Sequence, residues 1–281
     1  MIALIPARAG SKRVFGKNSR LLNHEPLMAY TIAAAQASSV FESIWVCADH
    51  WYLLNIGVLA GVKTYQRSEV GDDQPDVVWV QEVLRAVPRP ESFAILRPTS
   101  PFRTAETIRR AFREFQIADG THDSLRAVSP ATENPYKMWT WEGAGYPMKP
   151  LLSGTTADGV PLHSAPSQAA PKVWLQDSSL EMAYTRNVEA HGSIAGRKVI
   201  PFFSRGWEGF SIDTEADWER AAAYAAAHPE ALPPIATAPL VDPVAEADRP
   251  SDSGRPVEDG SGVRGPVLAP VPAVSDDLWG V

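Results

Sequence analysis

A single cysteine, Cys47, stands in the 281 residues. One thiol makes neither an internal disulfide framework nor a cysteine zinc site, which points to a reducing compartment. Long apolar runs are missing too: none approaches the roughly 18 residues that a membrane span needs. The N-terminal Met1-Ile2-Ala3-Leu4-Ile5-Pro6 has neither the basic start nor the extended apolar core of a signal peptide, so a cytoplasmic protein is expected. The six histidines (24, 50, 122, 163, 191, 228) show no metal-ligand spacing.

A basic surface is also lacking. The formal charge is −7, and residues 229–281 alone carry ten prolines, nine acidic residues and three arginines, which leaves about −1 for residues 1–228. A near-neutral body lacks the basic stripe of a nucleic-acid binder, so no nucleic-acid partner is expected. The stretch 229–281 has little apolar periodicity and reads as a disordered Pro-rich acidic tail. Function is expected in residues 1–228.

What is present is a regular alternation. Ile2–Pro6, Ser43–Ala48, Val62–Tyr65, Phe93–Leu96 and Asp123–Val128 read as strands, and Leu27–Ala37, Tyr52–Ala60, Val77–Val87 and Thr104–Ile117 as helices. That order predicts an α/β fold with a mostly parallel sheet and helices on both faces. Ligands then sit at the C-terminal ends of the strands. Residues 131–175, rich in Trp, Tyr, Gly and Pro, break the rhythm and suggest an inserted, hairpin-like arm. Its aromatics face either a partner subunit or the body's own core. Strands over Ser179–Tyr184 and Lys198–Phe203 and a helix over Thr214–Ala227 follow.

The first strand runs into Ala7-Arg8-Ala9-Gly10-Ser11-Lys12-Arg13-Val14-Phe15-Gly16-Lys17-Asn18, with four cations in ten residues and two glycines. Glycine lets backbone N–H groups approach phosphate oxygens, and the cations neutralise charge that shifts to a leaving group. A solvated basic turn is the alternative. A Walker A motif needs four residues between its glycines, whereas five separate Gly10 from Gly16, and Asn18 stands in place of the metal-binding hydroxyl. A Gly-x-Gly-x-x-Gly fingerprint after the first strand is absent. Kinase and dinucleotide readings both weaken.

Ile5-Pro6-Ala7-Arg8-Ala9-Gly10-Ser11-Lys12 with Lys17-Asn18 resembles the nucleotide-binding signature of the CMP-sialic acid synthetase (acylneuraminate cytidylyltransferase) family. Arg67 with Glu69 and Asp73, then Leu96-Arg97-Pro98-Thr99-Ser100-Pro101-Phe102-Arg103, then Ser211-Ile212-Asp213-Thr214-Glu215-Ala216-Asp217 follow in the family's order. The resemblance implies a Rossmann-like nucleotidyltransferase fold and a homodimer formed through the inserted arm. It implies transfer of CMP from CTP to a small acidic acceptor, with pyrophosphate release and Mg²⁺ (or Mn²⁺) as the metal. By motif, Arg8, Ser11, Lys17 and Asn18 would hold the triphosphate together with the loop residues Gly10 and Lys12, Arg67 would contact nucleotide, and Asp213 would hold the metal. Lys17, Arg8 and Asp213 would carry the catalysis.

This chain departs from the family at two places. Ser211 replaces the first of two metal-site aspartates, leaving Asp213, while Asp217 reads as a first-turn residue of the last helix. A catalytically dead relative is therefore a further reading, opposed by the retained Lys17, Asn18 and Asp213. On the acceptor side, Arg97 replaces a glutamine, and Gln168 and Pro171 are followed by Lys172-Val173-Trp174-Leu175-Gln176-Asp177 without the family's Asn-Gly. Arg97, Gln168 and Asp177 are the acceptor-site candidates. Arg97 either presents a bidentate fork to a compact anion such as a phosphonate or pairs with a nearby acid. The first option favours a small phosphonate acceptor over a sialic or other ulosonic acid.

Overall fold

Ile2–Ala7 forms β1 at the heart of a seven-stranded sheet, because a six-residue apolar run with almost no exposed side chain must be covered on both faces. The computed structural model describes residues 1–68, 74–118 and 120–235. Glu69 and Asp73 of the resemblance, and residues 236–281 of the expected tail, lie outside the described residues.

Elements follow in the order β1, a small ribbon of β2 (Leu21–Leu22) and β3 (Glu25–Pro26), α1 (Leu27–Ser38), β4 (Ser43–Ala48), α2 (Trp51–Leu59), β5 (Lys63–Gln66), α3 (Asp76–Ala86), β6 (Ser92–Leu96), α4 (Ala105–Ile117) and β7 (Ser124–Pro130). Then come β8 (Trp139–Thr140), β9 (Lys149–Pro150), β10 (Trp174–Tyr184), α5 (Thr185–His191), β11 (Val199–Phe203) and α6 (Glu215–Ala227). The sheet order is β11-β7-β10-β6-β1-β4-β5, with only β10 antiparallel to its neighbours. The mostly parallel α/β expectation therefore holds.

Two layers of helix cover the sheet. α1, α2 and α4 pack on the face carrying Ala3, Ile5, Val46, Leu96 and Leu125. α3 and α5 cover Ile2, Leu4, Phe93 and Ile95 on the other. Thr104 caps α4 through a reciprocal box with Thr107, and Ile108, Ala111 and Phe115 lie on its buried stripe. α1 is buried nearly all round, because its far side meets a third cluster holding Leu22, Phe102, Ile212 and Trp218 of α6. Cys47 is buried, and burial pushes its thiol up to about 12, so it is an inert core residue.

Three expectations are corrected. β10 begins at Trp174, inside the presumed arm, because a register shift between Gln176 and Glu181 lets a polar stretch stay in the ladder. α5 was not foreseen. The body also continues past residue 228: Leu232 is buried against the third cluster and Ile235 packs on it, so chain assigned to the tail belongs to the fold. The arm is a hairpin as expected, with β8 paired to β9. Trp141, Tyr146 and Met148 on it are exposed rather than folded back onto the core. Among the described residues no helix is long and apolar enough to cross a membrane.

Candidate active site

The carboxyl ends of β1, β4, β5 and β6 open on one edge of the sheet, and each releases a residue of the site. β1 delivers the basic loop. Its turn is built locally: Ser11 N–H donates to the Ala9 carbonyl at 3.0 Å, and Asn18 Nδ2 reaches back to the Arg8 carbonyl at 3.0 Å. Asp49, released by β4, accepts from the Ala9 amide at 2.9 Å. Asp49 thus shapes the loop. The loop folds around a cavity of about 380 Å³ lined by Arg8, Gly10, Ser11, Lys12, Arg13, Val14 and Lys17. Glycine at position 10 carries no side chain into this space, so amides there can approach a phosphate.

Lys17 is the loop's inner cation. Its Nζ donates to the Ile212 carbonyl at 2.7 Å and lies 3.6 Å from Asp213. Burial lowers its pKa, an effect that Asp213 only partly offsets. Such a cation gains from a polyanion in the cavity. Arg13 also approaches Asp213, at 3.5 Å. Asp213 is placed from two sides. The Ile212 amide donates to the Thr99 carbonyl at 2.9 Å, and the Asp213 amide donates to Asp217 at 3.2 Å. Asp217 also completes the capping box of α6 with Thr214, the helix-start role expected of it.

Arg67, at the end of β5, lies under the floor of the site and does not line the loop cavity. It is buried, donates to the Ala7 carbonyl at 3.2 Å and stands 5.5 Å over the Trp79 ring. Burial, then the neighbouring Arg8, lowers its pKa. Its Nε has no hydrogen-bond partner among the described residues.

A second, larger cavity of about 840 Å³ is lined by Asp213, which lies 3.6 Å from Lys17 of the loop cavity, and its lining includes Asp177, Ser178, Ser204, Trp207, Phe210, Ser211 and Arg220. Asp177 is buried. It accepts from Ser179 N–H and Oγ at 3.0 and 2.7 Å and from Ser204 Oγ at 2.5 Å. These bonds hold the bulge, where Ser178 sits at φ +60°.

The family described as cytidylyltransferase matches over residues 2–133. The chain is similar to CMP-N,N'-diacetyllegionaminic acid synthase of Legionella pneumophila, 39% identical over 159 residues that span 54% of this chain and 67% of the relative. It is similar also to the N-acylneuraminate cytidylyltransferase of Escherichia coli, 38% identical over 121 residues, 42% of this chain and 29% of that one. The chain belongs to the CMP-sialic acid synthetase family of cytidylyltransferases. This makes it a CTP-dependent nucleotidyltransferase. Its fold matches that of a CMP:2-keto-3-deoxy-manno-octonic acid synthetase solved with CTP, at TM-score 0.61 and 15% identity over 81% of this chain and 98% of that one. A 4-diphosphocytidyl-2C-methyl-D-erythritol synthase from Anaerococcus prevotii shares it at TM-score 0.54 and 12% identity, over 80% and 98% of the two chains.

In this cytidylyltransferase the acceptor candidates are not gathered as expected. Arg97 is spent on protein carboxylates: one arm donates to Glu181 at 2.5 Å and the other to Asp76. Glu181, buried, also takes Arg126 at 2.9 Å. Burial alone would lower the Arg97 pKa, and the two carboxylates more than offset it. The fork for a compact anion is therefore already filled. Gln168 lies on a short helical turn of the arm, in a neighbouring cavity with Lys137, Lys172 and Trp174 that shares Pro130 and Thr132 with the larger one. Of the three, only Asp177 lines the large cavity. Sequence reasoning gave Arg103 no role, yet it is fully buried and donates to the carbonyls of Arg97 and Ser179 and to Thr31 Oγ1. A lone Arg directly after Pro101-Phe102 was the available signal.

Among the described residues no group of three or more His, Cys, Asp or Glu could hold a metal. Mg²⁺ commonly takes one or two carboxylates and completes its shell with substrate phosphates and water. Asp213, beside the loop that would carry the triphosphate, fits an ion that arrives with the nucleotide.

Proposed function

We propose that this chain transfers CMP from CTP to a sugar acid of the ulosonic class, releasing pyrophosphate. The observation that carries this reading is the 3.6 Å contact between Lys17, which lines the loop cavity, and Asp213, which lines the larger one. The triphosphate would occupy the loop cavity, against Arg8, Lys12 and the amides near Gly10 and Ser11, and the acid the larger one. An acceptor hydroxyl attacks the α-phosphorus and gives up its proton to solvent, the new O–P bond forms, and the bond to the β-phosphate oxygen breaks with release of pyrophosphate. Lys17 is placed to neutralise charge building on the α-phosphate and the departing pyrophosphate. A divalent cation, Mg²⁺ or Mn²⁺, would add electrostatic stabilisation when bound, held by Asp213. No covalent enzyme intermediate is required.

The acceptor class follows the legionaminic and acylneuraminic acids for which the relatives are named. The small-phosphonate reading rested on the missing Asn-Gly together with an available Arg97, and that guanidinium is committed to Asp76 and Glu181. The exposed Trp141, Tyr146 and Met148 of the arm suit contact with a second copy of this chain, and a dimer mass in solution would bear that out. Pyrophosphate release from each nucleoside triphosphate, with a panel of ulosonic acids and small phosphonates, tests the reaction. CTP with an ulosonic acid is the expected pair. Turnover with phosphonates alone would overturn the acceptor assignment, and no release from CTP with any acid would overturn the transfer itself.

A further inference from the structure

The larger cavity has a charge problem. Its charged lining residues, among those described, are Asp177, Asp213 and Arg220. An acid acceptor carries its own carboxylate into a space already flanked by two, so it needs a counter-charge. Arg97 cannot supply one, for the reason given above. Asp213 is partnered toward the phosphate loop by Lys17 and Arg13. That leaves Arg220.

Its setting suits the task. Arg220 lies on α6, one and a half turns in, with its guanidinium carbon 5.1 Å from the centre of the Phe210 ring. A ring-face contact steers an arginine without using its N–H donors. Phe210 is itself held, 4.7 Å from Trp207, which stacks on Tyr224 at 3.9 Å. Arg220 makes one loose ion pair, with Asp217 at 3.7 Å, comparable to those of Lys17 and Arg13 with Asp213, and its side chain is 65% exposed. The guanidinium therefore lines the cavity, loosely paired and open to an incoming anion.

We propose that Arg220 is the specificity-determining residue for the acid substrate: its guanidinium pairs with the acceptor carboxylate and sets the sugar acid in the larger cavity beside Asp213. The proposal rests on the ulosonic-acid reading above. A bidentate arginine–carboxylate pair supplies direction as well as charge, which lysine cannot match.

Steady-state kinetics on the full chain with CTP and N-acetylneuraminate test it. Arg220→Ala should raise KM for the acid by about 10–100-fold, the size expected of a lost charged hydrogen-bond pair, while KM for CTP stays within about twofold. Arg220→Lys should recover only part of the loss, and Phe210→Leu should fall between the natural enzyme and Arg220→Ala. The melting temperature should not move, since the removed side chain is mostly exposed. An unchanged acid KM in Arg220→Ala, in an enzyme whose natural form turns over the acid, would overturn the role of Arg220 and leave the reaction standing. A natural enzyme that turns over CTP with no ulosonic acid at all would overturn the acceptor reading and this role with it.

Discussion

The Lys17 ammonium lies 2.7 Å from the Ile212 carbonyl and 3.6 Å from the Asp213 carboxylate, joining the first loop of the chain to the segment that opens its last helix. Two motifs far apart in sequence thereby meet at one edge of the candidate site. A cation already leaning on a carboxylate and a carbonyl is held in place before nucleotide enters. Lys17→Ala should cut turnover by about 10²–10³-fold, as expected for the loss of one preorganised electrostatic stabiliser. Near-normal turnover in a folded variant would reduce the loop to a surface turn.

Metal dependence should run through Asp213. EDTA should abolish activity, Mg²⁺ or Mn²⁺ should restore it, and Asp213→Ala should leave almost none. Ser211 lines the same cavity as Asp213, so Ser211→Asp should lower the Mg²⁺ concentration needed for half activity. Full activity in Asp213→Ala would move the metal elsewhere.

Arg97→Gln should act on stability and not on acceptor choice. Glu181, 3% exposed, keeps Arg126 after the change, so the cost is expected at about 1–3 kcal/mol, below the roughly 3–5 kcal/mol of a fully orphaned buried charge. Urea midpoints measure this. A selective rise in acceptor KM with unchanged stability would restore Arg97 to the acceptor site.

Acid should expose the same pair. Burial alone would raise the Asp76 pKa, but Arg97, with the Trp79 hydrogen bond, holds it below its ordinary value. Unfolded, the carboxyl returns to about 3.9. Its contribution is thus complete above about pH 4 and is lost as pH falls through the lower folded value. The stability gap between the natural protein and Arg97→Gln should therefore narrow below about pH 4. A gap constant down to pH 2 would contradict the pairing.

Leu232→Ala should cost about 2–3 kcal/mol, since the side chain is 6% exposed within the cluster that holds Trp218. Ending the chain at residue 228 should cost at least as much. An unchanged melting temperature in either case would return residues 229–235 to the tail.

The legible parts of this fold were those with local causes. Ser43–Ala48 is a continuous run of strand-forming residues, half-buried then buried, and the strand has those bounds. Thr104 and Thr214 announce their helices because a cap is a matter of three residues. α5 gave no such sign: Tyr184 stands at its cap without a side-chain bond, and a strand flows directly into it. The start of β10 was hidden because Gln176-Asp177-Ser178-Ser179 looks like a loop, and the ladder with β7 and the Asp177 bonds to Ser179 and Ser204 hold it as a bulged strand. Within the site, the phosphate loop was readable as a contiguous motif. The fate of Arg97 was not, since its partners lie 21 and 84 residues away in the chain.

β10 carries the root of the arm at Trp174, the cavity floor at Asp177 and the body's core at Met182 on one eleven-residue ribbon. Such a ribbon behaves as a lever with its fulcrum at the bulge. Because side chains alternate faces, adding or deleting one residue there would turn everything on one side of the fulcrum over, taking either the arm's root or the core out of register. Length changes at the bulge are therefore closed to this architecture. A lineage changing its acceptor would have to exchange side chains along the ribbon or remodel the far end of the arm.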